Sequence, residues 1–323
     1  MSNENKPKRP KKAISWIDTV SSEEYLNYSK EDLRINYIRA GNITEITVMQ
    51  KHNDKPTIKR RGKDTYIVLS DESKTERKFN FKENRAESTD SMQRTLRRLR
   101  LLINNNFFGE PNELMLTLTY AENMKDTQRL YEDFNKFMKR LRYYCQNTHE
   151  NAPFNIEYLT VVEPQARGAW HHHTLIKSDC PELYIHNSVI AGLWGRGQGF
   201  TKTTAITNVD NVGAYLSAYL ANIEVADDIE GENVIKKNGK KYVKGARLHF
   251  YPSGTNLYRH SKGIKMPNII KNMPYSKAMK LVEGHTKTGE YDIEIEKDGF
   301  TNLIHKEYYN AKRRPTDHGD QDK

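Results

Sequence analysis

Two histidines and one glutamate in the middle of the chain have the spacing of a metal site. In the run WHHHT, His171 and His173 are two residues apart, so on a β-strand they point to one face while His172 points to the other. Glu163 ends the preceding predicted strand, and a short turn brings it back beside the histidine pair. H-x-H alone is a weak signal, and the third ligand strengthens it. Two imidazole nitrogens and a carboxylate suit Mn²⁺ or Mg²⁺ with open positions, or Fe²⁺ or Zn²⁺.

Two tyrosines follow at helical spacing. Tyr215 and Tyr219 lie four residues apart in a predicted helix, so they share a face. A separate apolar stripe supplies the core contacts of that helix and is formed by Val212, Leu216, Leu220 and Ile223. Paired aromatic residues more often serve packing than catalysis. A tyrosine oxygen is a poor nucleophile at neutral pH unless it is activated, and a metal that polarises a phosphate supplies that help. The two patterns together therefore indicate phosphodiester transesterification.

The composition favours a polyanionic partner. The 323 residues carry 52 Lys and Arg against 42 Asp and Glu, a formal net charge of +10. Such an excess favours nucleic acid because neutralised phosphates release counterions, although many soluble proteins are equally basic. Cys145 and Cys180 form no CxxC pair, which argues against a zinc ribbon and fits a reducing cytoplasm. Because we find neither a signal-peptide core nor a run of about 20 apolar residues, we expect a soluble, cytoplasmic protein without a membrane partner.

The periodicity of the central region predicts an antiparallel sheet flanked by helices. The predicted strands are 114–120, 155–163, 169–177, 199–209 and a late one at 247–251. The predicted helices are 91–104, 124–146, a short one from Pro181 to about Leu193, and 212–222. This order predicts an α+β fold, with an antiparallel sheet covered by helices on one face in the ferredoxin-like manner.

Three regions follow from these patterns. Residues 1–90 are expected to hold a basic arm and a small β region, residues 91–267 the catalytic domain, and residues 268–323 a C-terminal extension whose polar tail spans 305–323.

Basic, hydroxyl and aromatic residues in the central region are candidates for contact with nucleic acid. Arginines cluster on the exposed side of the helix at 91–104, where a solvated face is the alternative interpretation. Trp170 and Trp194 are candidates for base stacking, with a core position the more ordinary role of Trp194. The candidate contact residues are Arg94, Arg97, Arg98, Thr117, Thr119, Arg167, Trp170, Lys202 and Lys262.

At this point the residues resemble a known family. The segment from Glu163 to His173, which includes Gln165, Arg167 and Gly168, resembles the central motif of HUH endonucleases, the rolling-circle replication initiators of plasmids, phages and integrative elements. LTLTY at 116–120 is similar to their first motif, and the segment from Gly213 to Tyr219 is similar to the tyrosine-bearing third one. The resemblance spans roughly 91–267 and includes LWGRG at 193–197, DNVG at 210–213, YPSG at 251–254 and SKGIKMP at 261–267.

The resemblance implies a nicking and rejoining enzyme. Its metal would lie on Glu163, His171 and His173, and Tyr215 or Tyr219 would attack single-stranded or hairpin origin DNA. The products would be a 5′-phosphotyrosine and a 3′-hydroxyl that a host polymerase extends. The chain has no G-x-x-x-x-G-K-[ST] loop, so a host helicase would unwind the DNA. Ala218 and Asn222 stand where the family often carries lysine, which leaves open which tyrosine attacks and whether Lys202 or Arg247 replaces the missing charge.

Other functions fit parts of the pattern. A relaxase or single-strand transposase uses the same site, although relaxases usually place the tyrosine ahead of the histidines. An oxygenase of the double-stranded β-helix type also uses H-x-H with a carboxylate, but the long helices argue against it. A non-catalytic single-strand-binding protein explains the charge and the aromatic residues, but leaves the Glu-His-His set without a role.

Overall fold

The computed structural model divides the chain into two compact units. The central unit comprises residues 82–267, and the terminal unit comprises residues 1–81 together with 268–323. The described residues are 33–51, 58–62, 64–78, 89–148, 154–165, 168–195, 198–207, 209, 211–217, 223–225, 234–237, 240–243, 251, 255–297 and 300–312.

The described residues form sixteen strands and five helices. The strands are β1 (Arg34–Ala40), β2 (Ile43–Met49), β3 (Ile58–Arg60), β4 (Thr65–Val68), β5 (Arg77–Lys78), β6 (Glu113–Tyr120), β7 (Ile156–Pro164), β8 (Trp170–Ser178), β9 (Gln198–Ala205), β10 (Ile223–Val225), β11 (Val234–Lys237), β12 (Lys240–Val243), β13 (Tyr258–His260), β14 (Ile269–Pro274), β15 (Thr286–Lys297) and β16 (Phe300–Asn310). The helices are α1 (Thr89–Asn104), α2 (Thr127–Thr148), α3 (Asn187–Trp194), α4 (Val212–Ser217) and α5 (Tyr275–Leu281).

The main sheet of the central unit has the order β13-β7-β8-β6-β9, and all its pairs are antiparallel. The strands β6, β7, β8 and β9 therefore give the split β-α-β arrangement, with α2 and α3 as the connecting helices. The predicted α+β, mostly antiparallel fold is confirmed.

Helices cover both faces of this sheet, because its strands carry apolar side chains in both parities. One face packs against α2 and α3 through a cluster that includes Leu114, Leu116, Phe134 and Ile190. The other face packs against α1 and α4 through a cluster that includes Leu99, Met115, Val161 and Leu216. The two connecting helices thus share one face, as the sequence predicted, whereas α1 and α4 add a second layer that it did not predict.

Local signals explain where the helices begin. Asp126 caps α2, since its carboxylate accepts the backbone N–H groups of Gln128 at 2.8 Å and Arg129 at 3.1 Å. The prediction that a helix opens at Pro181 is wrong. That helix begins at Asn187, after the His186 side chain caps it, while the N–H of Leu183 is bound by the carbonyl of Pro111.

The terminal unit is built around a second antiparallel sheet, of order β14-β1-β2-β16-β15. One face packs against α5 through Ile35, Ile46, Tyr275 and Ala278. Strands from the N-terminal region and from the C-terminal extension thus share one sheet. A small sheet of β3, β4 and β5 completes the described part of this unit.

The predicted polar tail at 305–323 is wrong for its first six residues. His305, Glu307 and Tyr309 are buried on alternate positions of β16, and partners from neighbouring strands satisfy their polar groups. Residues 313–323 lie outside the described residues, as do residues 247–250 of the predicted late strand. The described strand at the corresponding edge of the main sheet is β13, which the sequence did not predict.

None of the described helices combines the length and the apolarity needed to cross a bilayer.

Candidate metal centre

The antiparallel hairpin of β7 and β8 brings the three candidate metal ligands together. Glu163 lies directly opposite His171, and Val161 lies opposite His173. Directly opposed residues share a face of the sheet, so the carboxylate and both imidazoles point the same way. The tight turn that makes this possible includes Gly168, whose φ of 85° is a left-handed conformation that glycine adopts at low cost.

The three side chains converge on one point. The Oε2 atom of Glu163 lies 2.8 Å from Nε2 of His171 and 2.6 Å from Nε2 of His173, and the two Nε2 atoms are 3.2 Å apart. All three side chains are buried. Of the described residues, Glu163, His171 and His173 therefore form a group whose ligand atoms could hold one cation.

Burial keeps both histidines in the form that binds metal. Removal from water lowers the pKa of His171 to about 3, with a smaller contribution from His173, and lowers the pKa of His173 to about 4. Near neutral pH each imidazole is uncharged and carries a lone pair, as metal coordination requires.

The donor set fits a divalent cation. Two nitrogens that each lie about 2.1 Å from one ion, at a tetrahedral or octahedral angle, are separated by roughly 3.0–3.4 Å. The observed 3.2 Å lies in that range. The Oγ1 atom of Thr117 lies 3.4 Å from Nδ1 of His173. A hydrogen bond donated by Nδ1 there would leave Nε2 free for a metal. The residues present therefore fit the ion that the sequence predicted.

His172 belongs to the opposite face. Its ring is fully buried and stacks on Phe134 of α2 at 4.6 Å, and its Nδ1 atom lies 3.1 Å from the hydroxyl of Thr160. The predicted division of the three consecutive histidines into two inward ligands and one structural residue agrees with this geometry.

The helix that carries the first tyrosine packs on the ligand face. Val212 and Leu216 of α4 are buried in the same cluster as Val161 and Leu175, which neighbour the histidines on that face of the sheet. Tyr215 lies on this helix, although its side chain lies outside the described part of the structure, and Tyr219 lies outside the described residues. The structure thus places the start of the tyrosine helix on the face of the candidate metal site.

Asn104 and Gly213 fix where that helix begins. The side-chain oxygen of Asn104 accepts the N–H of Gly213 at 2.8 Å. A Cβ on Gly213 would lie 2.6 Å from that oxygen and 2.7 Å from the carbonyl oxygen of Arg100, so α1 and α4 approach too closely for any side chain there. Sequence reasoning missed Asn104, because nothing local connects it to a segment more than a hundred residues away.

The candidate nucleic-acid contacts occupy several environments. Arg94, Arg98, Lys202 and Lys262 are exposed, and Arg97, Thr117 and Thr119 are half-buried. Trp170 is buried in the core and donates its indole N–H to the carbonyl of Lys125, so it presents no open face for a base. Arg167 lies outside the described residues. Trp194 is also a core residue, as the sequence indicated.

Lys202 shares a cross-strand row with the candidate ligands. Thr117 lies opposite both His173 on β8 and Lys202 on β9. The ammonium group of Lys202 therefore rises from the ligand face, two strands away from His173, at the open edge of the sheet. Phe200, on the same strand, is exposed, and sequence reasoning missed it although it lies two residues from Lys202.

Comparison with known families points to replication. A family model for replication-associated proteins of the ORF2 type matches residues 113–224. The match begins with β6 and includes all three candidate ligands and both tyrosines. No curated protein and no solved structure matches the chain. The match supports a role in the initiation of replication.

Proposed function

We propose that this protein initiates rolling-circle replication by nicking one strand of origin DNA through a tyrosine of the 212–222 segment, with Mn²⁺ or Mg²⁺ held by Glu163, His171 and His173. The observation that carries the proposal is the convergence of these three side chains on the sheet face that also packs the tyrosine helix. Its agreement with the replication-associated family match supports replication over conjugation or transposition.

The proposed reaction is a transesterification at phosphorus. The phenol oxygen of Tyr215 or Tyr219 bonds to the phosphorus as its proton is lost, and the bond from phosphorus to the 3′ oxygen breaks. The departing 3′ oxygen takes up a proton, which leaves a 5′-phosphotyrosine and a free 3′-hydroxyl. The bound divalent cation would supply electrostatic polarisation of the phosphate.

The protein's own residues prepare this site in three ways. Glu163 and the two neutral imidazoles form a buried donor set that needs no proton loss from the histidines near neutral pH. Thr117 lies beside His173 and helps to orient its ring. Lys202 provides a positive charge on the ligand face, and we assign it the phosphate contact for which the family often uses a lysine on the tyrosine helix.

The product explains the proposed partners. A 3′-hydroxyl on origin DNA is a primer that a host polymerase can extend, and a host helicase would separate the strands. When synthesis has passed once around the circle, the second tyrosine, or a reversal at the first, would rejoin the strand.

A covalent adduct tests the proposal directly. The wild-type protein is incubated with Mn²⁺ and single-stranded DNA from its native replicon, and the mixture is separated under denaturing conditions. We expect a protein band carrying labelled DNA, which the double variant Tyr215→Phe/Tyr219→Phe should abolish. The single variants Tyr215→Phe and Tyr219→Phe then identify the residue that attacks first.

The controls separate nicking from binding. Tyr143→Phe changes an exposed tyrosine on α2 and should leave the adduct intact. If wild-type protein binds the DNA but forms no adduct with any strand of the replicon, the protein is a single-strand-binding protein and the nicking proposal is wrong.

A further inference from the structure

Phe200 is an exposed aromatic residue on an edge strand of the catalytic sheet. Its side chain is 67% exposed, and β9 is the last strand on its side of the sheet. A single exposed apolar residue is not by itself a sign of function. Its position and its neighbours therefore have to decide what it does.

Two independent observations place Phe200 on the ligand face. The amide of Asn187 in α3 contacts the hydroxyls of Thr201 and Thr203, each at 3.3 Å, on the face that packs against α2 and α3. Since a strand alternates its faces, Phe200 and Lys202 point the other way, toward the face of the candidate metal centre. The partner strand agrees, because Lys202 lies opposite Thr117, which lies opposite His173.

A β-bulge fixes the backbone under Phe200. Between Leu118 and Tyr120 the register of β6 with β9 shifts, so that β9 holds one extra residue. Gly199 permits this close approach, since a Cβ there would lie 2.5 Å from the carbonyl carbon of Tyr120. The hydroxyl of Thr119 donates to the carbonyl of Phe200 at 2.8 Å and holds the bulge in place.

The neighbours of Phe200 match the chemistry of a single nucleic-acid strand. An aromatic ring two residues from a lysine offers a stacking surface for a base beside a positive charge for a phosphate. Both are exposed, and both stand on the face that carries Glu163, His171 and His173. A bulge that re-aims a side chain beside an active site is a recurrent device in sheets.

We propose that Phe200 is a stacking platform for an unpaired base of the strand to be cut, with Lys202 contacting an adjacent phosphate of the same strand. The nature of the ligand rests on the proposed function. Charge argues for DNA over a protein partner as the occupant, because the chain has a net charge of +10 and Lys202 adjoins the ring. An unpaired base is required, because base pairs in a duplex present no open face to a flat edge residue.

Equilibrium binding without metal tests this proposal apart from nicking. Fluorescence anisotropy follows a labelled random pool of DNA single strands about 20 nucleotides long, at about 50 mM salt with EDTA. Phe200→Ala should bind roughly 5-fold to 150-fold more weakly than wild type, the range expected for the loss of one base–aromatic stack. Phe200→Trp should bind at least as tightly as wild type, and DNA should quench the fluorescence of the new indole.

Tyr143→Ala is the matched control, since Tyr143 is 71% exposed on α2, against the opposite face of the sheet, and should bind as wild type does. The proposal is overturned if Phe200→Ala binds as tightly as wild type, if Tyr143→Ala is weakened equally, or if wild type binds no strand of the pool. It is also overturned if Phe200→Ala only dissociates an oligomer in sedimentation velocity and leaves DNA binding unchanged.

The outcome is independent of the adduct assay. Weakened binding by Phe200→Ala without any wild-type adduct would reject the nicking reaction and keep the stacking platform. A wild-type adduct with unchanged binding by Phe200→Ala would do the reverse.

Discussion

Each unit of the protein contains a buried cluster of histidine and glutamate, yet the two clusters differ in their protonation. In the central unit Glu163 meets His171 and His173 at 2.8 and 2.6 Å. In the terminal unit His305 lies 3.2 Å from Glu290 and 3.6 Å from Glu307. By donor atoms and spacing, both are groups that could hold a metal ion.

The second cluster already contains its own cations. Lys287 lies 3.1 Å from Glu307 and 2.8 Å from Glu290, and His305 lies 2.8 Å from Asp292. Burial acts to lower the pKa of His305, but hydrogen bonds with Glu307 and Asp292 outweigh it, so the net pKa is raised. The protonated form is thereby favoured, and a protonated imidazole has no lone pair for a metal.

The difference teaches that donor type and spacing do not define a metal site. The imidazoles of His171 and His173 have a lowered pKa and are ready to bind a cation, whereas His305 is held as a cation itself. We therefore interpret the cluster of the terminal unit as an ion-pair network that joins β15 to β16, and the cluster of the central unit as the metal site.

The largest predicted difference is in metal affinity. His171→Ala removes one of three ligands and should weaken Mn²⁺ binding by about 100-fold or more, because even changes outside the ligand set cost 10- to 100-fold. His305→Ala should leave the affinity unchanged. Isothermal titration calorimetry measures both, and an equal loss in the two variants would show that the terminal cluster binds the metal.

The next effect concerns stability and has the opposite location. Glu307→Gln leaves Lys287 and the buried His305 without their shared carboxylate, and should lower the free energy of unfolding of the terminal unit by about 2–3 kcal/mol. Hydrogen exchange of the β15 and β16 amides reports this unit by itself.

Glu163→Gln is the matched change in the central unit. It removes a carboxylate from beside two neutral imidazoles, so without metal we expect little effect on exchange in β7 and β8. With saturating Mn²⁺ the wild type should gain protection there, by about 2.7 kcal/mol at one hundred times the dissociation constant, and Glu163→Gln should not. Metal-dependent protection in the terminal unit would contradict the assignment.

A smaller effect should appear on changing the pH. The raised pKa of His305 stabilises the folded terminal unit below the ordinary histidine value of 6.5, and this contribution is lost as the pH rises through the folded-state pKa. Hydrogen bonds with His305 and Lys287 outweigh burial and lower the pKa of Glu307 below 4.5, so its contribution is lost only as the pH falls through that lower pKa. The contributions of these two groups are therefore both complete between about pH 4.5 and 6.5.

Exchange of the β16 amides, corrected for the intrinsic pH dependence of exchange, should show decreasing protection above that window. His305→Gln should flatten the decrease, because glutamine does not titrate. A decrease of the same size in His305→Gln would assign the pH dependence to another group.

The sequence was sufficient for the elements whose signals are local. Alternation around His171 and His173, with a short turn back to Glu163, predicts the hairpin without knowledge of any other strand. The amphipathic stripe of α2 likewise predicts its buried residues, such as Phe134 and Phe137.

The sequence was insufficient where partners come from distant segments. Strand β16 pairs with β2, with Asn310 opposite Ile43, and its polar residues are satisfied only by side chains of other strands. Without those partners, His305 and Glu307 resemble a solvated tail. The layer formed by α1 and α4 was missed for the same reason, because the contact of Asn104 with Gly213 joins segments that are remote in the chain.

The smallest predicted effect tests the strand-facing argument at a single residue. His172 adjoins both candidate ligands in sequence, and burial lowers its pKa to about 3, as it does for His171. Its ring nevertheless stacks on Phe134 across the opposite face of the sheet. His172→Ala should therefore change the Mn²⁺ dissociation constant by less than about twofold, although it removes a buried ring from the core.

Calorimetry on the folded variant, with circular dichroism to verify folding, measures this directly. His172→Asn is a second variant that keeps a polar group near the hydroxyl of Thr160 and should bind Mn²⁺ equally well. If both folded variants lose affinity as His171→Ala does, the metal does not depend on which face a histidine occupies. Neutral protonation by burial, which His172 shares, would then be the whole distinction between the central cluster and the terminal one. If both variants retain the affinity, burial makes a histidine available for a metal, and strand register decides which histidines bind it.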